Sequence, residues 1–163
     1  MRIERSTSEA VRSVALNMRE RDFAEFSAVS FAETRFELAE VLAARYGESP
    51  EVHIGFVGAE PVCVGGSVMA RPNVISLLFF ATDRFPEIVL PATRYIKKQL
   101  LPRLIEAGVH RIEAVSMVGH SEAHAWLRAL GLRKETGPMH GYGKNGEAFV
   151  QYAWSKHVCA FGA

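Results

Sequence analysis

The run Val109–Leu132, VHRIEAVSMVGHSEAHAWLRALGL, constrains this chain more than any other stretch because its apolar period changes halfway along. First, Ile112, Ala114 and Ser116 alternate with Glu113, Val115 and Met117, the two-residue repeat of a strand with unlike faces. After Gly119-His120-Ser121, the residues Ala123, Trp126, Leu127 and Leu130 recur at three- and four-residue steps, the repeat of a helix with one apolar face. Gly131 can take the left-handed conformation that ends a helix sharply. A strand, a short polar turn and a helix are therefore predicted in that order.

The middle of the chain is predicted as β. Val52, Ile54 and Phe56 alternate with His53 and Gly55, and Gly58-Ala59-Glu60-Pro61 reads as a hairpin loop into Val62–Met69. Arg71-Pro72-Asn73 is the next turn. Val74–Ala81, VISLLFFA, is almost wholly apolar and predicts a central strand covered on both faces. After Arg84-Phe85-Pro86 a helical stretch runs to about Ala107, with Pro91 in its first turn and Pro102 placed to kink or break it.

At the N-terminus, Met1–Arg5 suits a short strand. Ser6 with Glu9 has the spacing of a capping box, opening a helix faced by Val11, Val14 and Met18. Asp22 with Glu25 repeats the pattern before Phe23, Phe26 and Val29, and a helix from Phe31 to Arg45 is expected to bury Leu38, Val41 and Leu42. The C-terminal part reads as a hairpin, Arg133–Tyr142 and Glu147–Trp154, turning at Asn145-Gly146. Its exposed arm could pair across a homodimer. One domain is predicted over residues 1–154, with a loose tail over 155–163.

Composition excludes several classes. With 163 residues, 48% of them hydrophobic, there is core for one domain and little for two. Nineteen basic against eighteen acidic residues leave a net charge of +1, which gives no electrostatic case for nucleic acid or an anionic membrane. No apolar run reaches about 18 residues and MRIERSTSEAV lacks an apolar leader core, so neither a membrane span nor secretion is indicated and a cytoplasmic chain is expected. Cys63 and Cys159 read as two reduced thiols, with Cys63 in an apolar run.

Strand, two or three helices, three antiparallel strands, helix, strand, helix and closing hairpin is an order that resembles the GNAT acyltransferase superfamily over roughly residues 1–154. The likeness implies an α/β (α+β) fold with a mixed sheet of six to seven strands and helices on both faces. It further implies that Val74–Ala81 and Arg111–Met117 splay apart to admit acetyl-CoA, used to acylate an amine whose identity the sequence does not disclose. Leu78, Phe79, Phe80 and Ala81 would then hold the pantetheine arm by backbone groups. The family's glycine-rich pyrophosphate loop, however, corresponds here to Ile88-Val89-Leu90-Pro91-Ala92-Thr93, with no glycine and no basic residue. Small Ala92 and Thr93, with Arg94 and Lys97 nearby, are the implied substitutes. The family's closing-helix pattern survives at Ala123 and Gly131, while its Tyr, which protonates the departing thiolate, is Leu127 here. Asn17-Met18-Arg19-Glu20-Arg21-Asp22, the Arg94 helix and His120–Leu132 also look like a phage-encoded GNAT-like group that includes internal virion proteins. That narrower likeness implies a non-catalytic assembly or binding role, virion-associated rather than cytoplasmic.

Three side chains carry candidate chemistry, each beside an ordinary structural reading. His120 starts the helix beside the expected groove, where an imidazole could serve as a general base, although a polar residue there is ordinarily a cap. Tyr142, in a Gly-Tyr-Gly segment, could replace the missing acid or simply pack on the sheet. Glu113 could take the amine proton or form the polar face of its strand. His120 and His124 have metal-ligand spacing, but the ordinary reading of a capping His120 and a solvent-facing His124 is preferred, and no metal is expected. Gly65-Gly66 marks a bulge, a close backbone approach or a tightly packed helix overhead, and Arg94, Lys97, Lys98 and Arg103 make a basic helix face.

Overall fold

The apolar run Val74–Ala81 and the alternating run Arg111–Met117 form strands with those bounds. The computed structural model describes residues 1–156. Their strands are β1 (Arg2–Arg5), β2 (Val52–Val57), β3 (Glu60–Arg71), β4 (Val74–Ala81), β5 (Arg111–Met117), β6 (Arg133–Lys134) and β7 (Phe149–Ser155). The helices are α1 (Ser8–Leu16), α2 (Glu20–Ala28), α3 (Arg35–Tyr46), α4 (Val89–Tyr95), α5 (Leu101–Glu106) and α6 (Ser121–Ala129). The strands hydrogen-bond in the order β1-β2-β3-β4-β5-β7-β6 as one seven-stranded sheet. β4 beside β5 is parallel, while β1–β2, β2–β3, β5–β7 and β7–β6 are antiparallel, so the sheet is mixed. No helix among the described residues is long and apolar enough to cross a membrane.

Packing divides the described residues into two units, Met1–Ser67 with Leu78–Ala92, and Val68–Leu77 with residues 93–156. In the first, Val11, Val14 and Ala15 of α1 and Leu38, Ala39, Leu42 and Ala43 of α3 close over Val52, Ile54, Val64, Leu78 and Phe80. Val41 is half-exposed, because the helix begins at Arg35 and turns Val41 off the face that carries Leu38 and Leu42. Phe31 lies wholly exposed ahead of the helix. The start is fixed by a capping box: Thr34 Oγ1 accepts from the Glu37 N–H at 3.1 Å, and Glu37 Oε2 accepts from the Thr34 N–H at 3.3 Å. Thr34→Ala is expected to remove about 1 kcal/mol of stability, seen as a lower urea midpoint at unchanged slope.

Two other caps differ from the reading above. Thr7, not Ser6, caps α1 by accepting from the Ala10 N–H, and the Ser6 hydroxyl instead donates to the Ser49 carbonyl at 3.1 Å. Asp22 is no cap at all. It is the third residue of α2, which starts at Glu20, and is buried. Of the readings for Gly65-Gly66, the close backbone approach is the one seen at Gly66, where a Cβ would lie 3.3 Å from the Glu51 carbonyl oxygen. The bulge falls at Gly55/Phe56 in β2, and a Cβ on Gly66 would lie 2.9 Å from Val52 Cγ2 on that neighbouring strand.

In the second unit Ile75, Ile112, Ala114, Val150 and Tyr152 of the strands pack with Leu127, Leu130 and Leu132 at α6. The helical stretch after β4 is broken as Pro102 requires. Pro102 has no N–H, and its ring crowds the carbonyl four residues back. The chain opens a π turn at Ile96–Leu100, in which the Leu101 N–H reaches the Ile96 carbonyl five residues behind it. The closing hairpin is shorter than expected. Gly137 and Pro138 interrupt the pairing, which ends with the Glu135 N–H on the Gln151 carbonyl at 2.8 Å, and Met139 then bridges back to Phe149 in isolation. Its loop is no tight two-residue turn: the Gly143 N–H reaches the Glu147 carbonyl at 2.9 Å, and Glu147 Oε2 accepts from the Asn145 N–H. β6 is a two-residue outer strand, a short edge that gives a second copy little to pair with. Residues 157–163 of the expected tail lie outside the described residues.

Candidate active site

β5 supplies register partners to β4 only over Val74–Ser76, opposite Arg111–Glu113. Beyond Glu113, β5 continues as a partner of β7 alone, through Met117 opposite Phe149. The last residues of β4 are therefore paired differently on their two edges. The Thr82 N–H donates to Val62 of β3 at 2.8 Å, and successive N–H groups of a strand point to opposite edges. The Ala81 N–H thus points away from β3, where it donates to Asp22 Oδ2 at 2.8 Å. The Ala81 carbonyl accepts from the Arg19 N–H at 2.9 Å, and Met18 bridges Thr82 in antiparallel sense. The Met18–Asp22 segment between α1 and α2 thus acts as a short edge partner for the end of β4.

That segment is held firmly. Asp22 is 3% exposed and takes a bidentate hydrogen bond from Arg19, with N–O distances of 2.9–3.1 Å. The Arg19 guanidinium lies 5.5 Å from the centre of the Phe85 ring. Arg35 of α3 donates to the Met18 carbonyl at 2.8 Å and to Glu20 at 2.6 Å. Sequence reasoning took Asp22 for a cap and gave Arg19 no role. The available signal was an Arg three residues before an Asp, too common a spacing to single out.

Of the other β4 candidates, Leu78 and Phe80 turn their side chains into the first unit's core, and the Phe79 ring lies 4.8 Å from that of Phe85. At α4, the Ala92 N–H is committed to the Ile88 carbonyl and Pro91 has none, so the helix start has few free backbone donors. The Thr93 hydroxyl accepts from Trp126 Nε1 at 2.8 Å. Arg94 and Lys97 are exposed, and no carboxylate among the described residues pairs with them.

His120 is buried at the residue before α6 but makes no side-chain cap to that helix. His124 is not solvent-facing. It is partly buried, its ring 5.3 Å from that of Tyr152, because α6 turns that position onto β7. No group of three His, Cys, Asp or Glu side chains among the described residues could hold a metal. Tyr142 is 45% exposed and rests on Phe149 at 4.7 Å between ring centres.

Glu113 accepts from Arg111 at 2.7 Å and from Arg71 at 3.2 Å. Burial pushes its carboxyl up, but hydrogen bonds from the two guanidiniums outweigh burial and hold it below the usual carboxylate range. A carboxylate so held is a weak proton acceptor. Arg111 also reaches Glu135, and hydrogen bonding to it holds that carboxyl low as well. Both folded-state values lie below the unfolded ones. Their contribution is therefore present above the ordinary Glu range and lost as pH falls through the lower folded values. Stability should decline on acidification through that window, and Arg111→Met should flatten the decline in urea midpoints collected across pH. Burial pushes the Cys63 thiol up to about 11, which leaves it a poor nucleophile.

Comparison with solved structures resolves the architecture. A GNAT-family acetyltransferase from Bacillus anthracis shares 14% identity over 94% of this chain and 93% of its own, with a TM-score of 0.67. The ribosomal-protein-alanine N-acetyltransferase of Brucella melitensis shares 15% over 95% and 99%, with a TM-score of 0.67. The phosphinothricin acetyltransferase of Sinorhizobium meliloti, solved with acetyl-CoA, shares 17% over 94% and 87%, also at 0.67. This is the GNAT acetyltransferase fold. No protein-family model and no curated protein matches the sequence. At such identities the likeness extends to the fold, so within this GNAT fold the chemistry must be argued from the residues.

Proposed function

We propose that this chain transfers an acyl group from acyl-CoA, acetyl-CoA first among them, to an amine. The observation that carries the reading is the short β4–β5 pairing, which ends at Ser76 and Glu113 and leaves the rest of β4 without a β5 partner. A pantetheine arm needs such an edge, because its amides pair as a strand would. The amine lone pair attacks the thioester carbon. A C–N bond forms, the C–S bond breaks with its electron pair on sulfur, the amine loses a proton to a base, and the thiolate gains one. Alignment of amine and thioester and a backbone N–H on the carbonyl supply most of the catalysis. His120 is the base and Tyr142 the acid in this proposal, and Arg94 and Lys97 carry the charge that meets the cofactor's phosphates.

Thermal-shift titration with acetyl-CoA tests the reading. Stabilisation of about 2.7 kcal/mol is expected at one hundred times the dissociation constant. Replacing both Arg94 and Lys97 by Ala should weaken acetyl-CoA about tenfold, or 1.4 kcal/mol. Acetyl-pantetheine, which lacks the nucleotide phosphates, should bind both proteins alike. One observation favours a second reading, a non-catalytic GNAT-like binding protein: both backbone groups of Ala81 are already occupied. No shift at millimolar acetyl-CoA would select it.

A further inference from the structure

Asp22 is the one Asp or Glu among the buried residues described, and its partners are specific. A carboxylate leaves water at a cost of several kcal/mol, and replacing a buried ion pair by apolar groups is often neutral or stabilising. Fold stability alone is thus a poor reason for this group. What Asp22 does locally is plain. It saturates the Ala81 N–H at 2.8 Å while the adjacent Arg19 N–H saturates the Ala81 carbonyl at 2.9 Å. A backbone N–H and carbonyl on one strand residue are the pair that an extended amide-bearing ligand uses when it adds to a strand edge.

We propose that Asp22 is a gatekeeper for the acyl-carrier arm. Its carboxylate, with the Arg19 backbone, occupies the Ala81 donor and acceptor until the arm displaces them. The inference rests on the acyl-CoA reading and adds the residue that controls entry to that site. Release moves the Met18–Asp22 strap off the end of β4, while Arg35, bonded to the Met18 carbonyl and to Glu20, keeps it tethered to α3. Arg19 remains paired to Asp22 throughout, so no bare charge is exposed during opening.

Isothermal titration with acetyl-CoA, comparing the natural protein with Asp22→Ala, tests this. The variant should bind about tenfold more tightly, since Ala cannot hold the Ala81 N–H. Equal or weaker binding by a cooperatively melting variant overturns the gatekeeper and leaves the acyl-CoA reading standing. Binding by neither protein at millimolar cofactor overturns both. Amide hydrogen exchange on the natural protein gives an answer even if the variant fails to fold. Saturating acetyl-CoA should speed exchange at the Arg19 N–H at least tenfold, because its acceptor on Ala81 passes to the ligand. Unchanged exchange there, with cofactor bound, overturns the displacement.

Discussion

Gly47→Ala should lower the stability of this protein by about 3 kcal/mol, a size that overpacking reaches when backbone must move. Gly47 has φ −64° and ψ −26°, an ordinary right-handed helical conformation that any residue adopts. On backbone grounds alone Ala there would stabilise slightly, by reducing the freedom of the unfolded chain. The obstacle is space. A Cβ would stand 2.3 Å from Ser8 Oγ, 2.5 Å from the Ala43 carbonyl oxygen and 2.6 Å from the Ser8 Cα. The serine hydroxyl could rotate aside, but the other two atoms are backbone, so the start of α1 and the end of α3 would have to separate. Those helices carry Val11, Val14, Leu38 and Leu42, so the separation would loosen the first unit's core. Calorimetry should show the loss as a melting point lower by roughly 6–12 °C for a chain of this length. A neutral result would mean that the two helix ends are not in fact so close.

Phe80→Ala should cost about 3–5 kcal/mol by opening a cavity that the sheet cannot close. Phe80 is fully buried and meets Phe26 edge to face, with centroids 5.1 Å apart and planes at 71°. The same substitution separates two roles for β4. The Phe80 N–H points toward β3, as that of Thr82 does, and not toward the edge where Asp22 meets Ala81. Ring removal should therefore reduce stability while leaving the acetyl-CoA dissociation constant of the folded fraction within about twofold. A large loss of affinity at full folding would place the ring itself against the ligand.

The strands most visible in the sequence were those whose pattern is local. Val74–Ala81 and Arg111–Met117 appear with the bounds that their apolar runs predict, because burial on one or both faces leaves a period in the chain itself. Helix starts were less legible. Several Ser, Thr and Asp residues near each start can cap, and only the path of the entering chain decides between Ser6 and Thr7 or sets α3 behind Thr34. The hairpin at Gly143–Glu147 was readable as a turn, but not its shape, which a glutamate two residues beyond Asn145 determines.

For the site, the sequence pointed to β4 and to the helix after it, but not to what touches them. The hydrogen bond from Ala81 to Asp22 joins residues 59 positions apart, a distance over which no periodicity speaks. Its neighbours do suggest a helix, so Asp22 took the commonest role available to an aspartate near a helix start. Glu113 presents the same difficulty in reverse. Its strand position was legible, while the two arginines that draw its charge come from 42 positions and from two positions away.

The wide turn at Ile96–Leu100 also governs how positive charge is spread along the helical stretch behind β4. Arg94 and Arg103 are nine residues apart, about two and a half turns of a regular α-helix, which would set them on opposite sides. One added residue within the π turn swings everything after it by roughly a quarter revolution. Arg103 is thereby rotated back toward the flank that carries Arg94. By forcing that turn, an uncharged ring at position 102 broadens a cationic stripe that a straight rod would have divided.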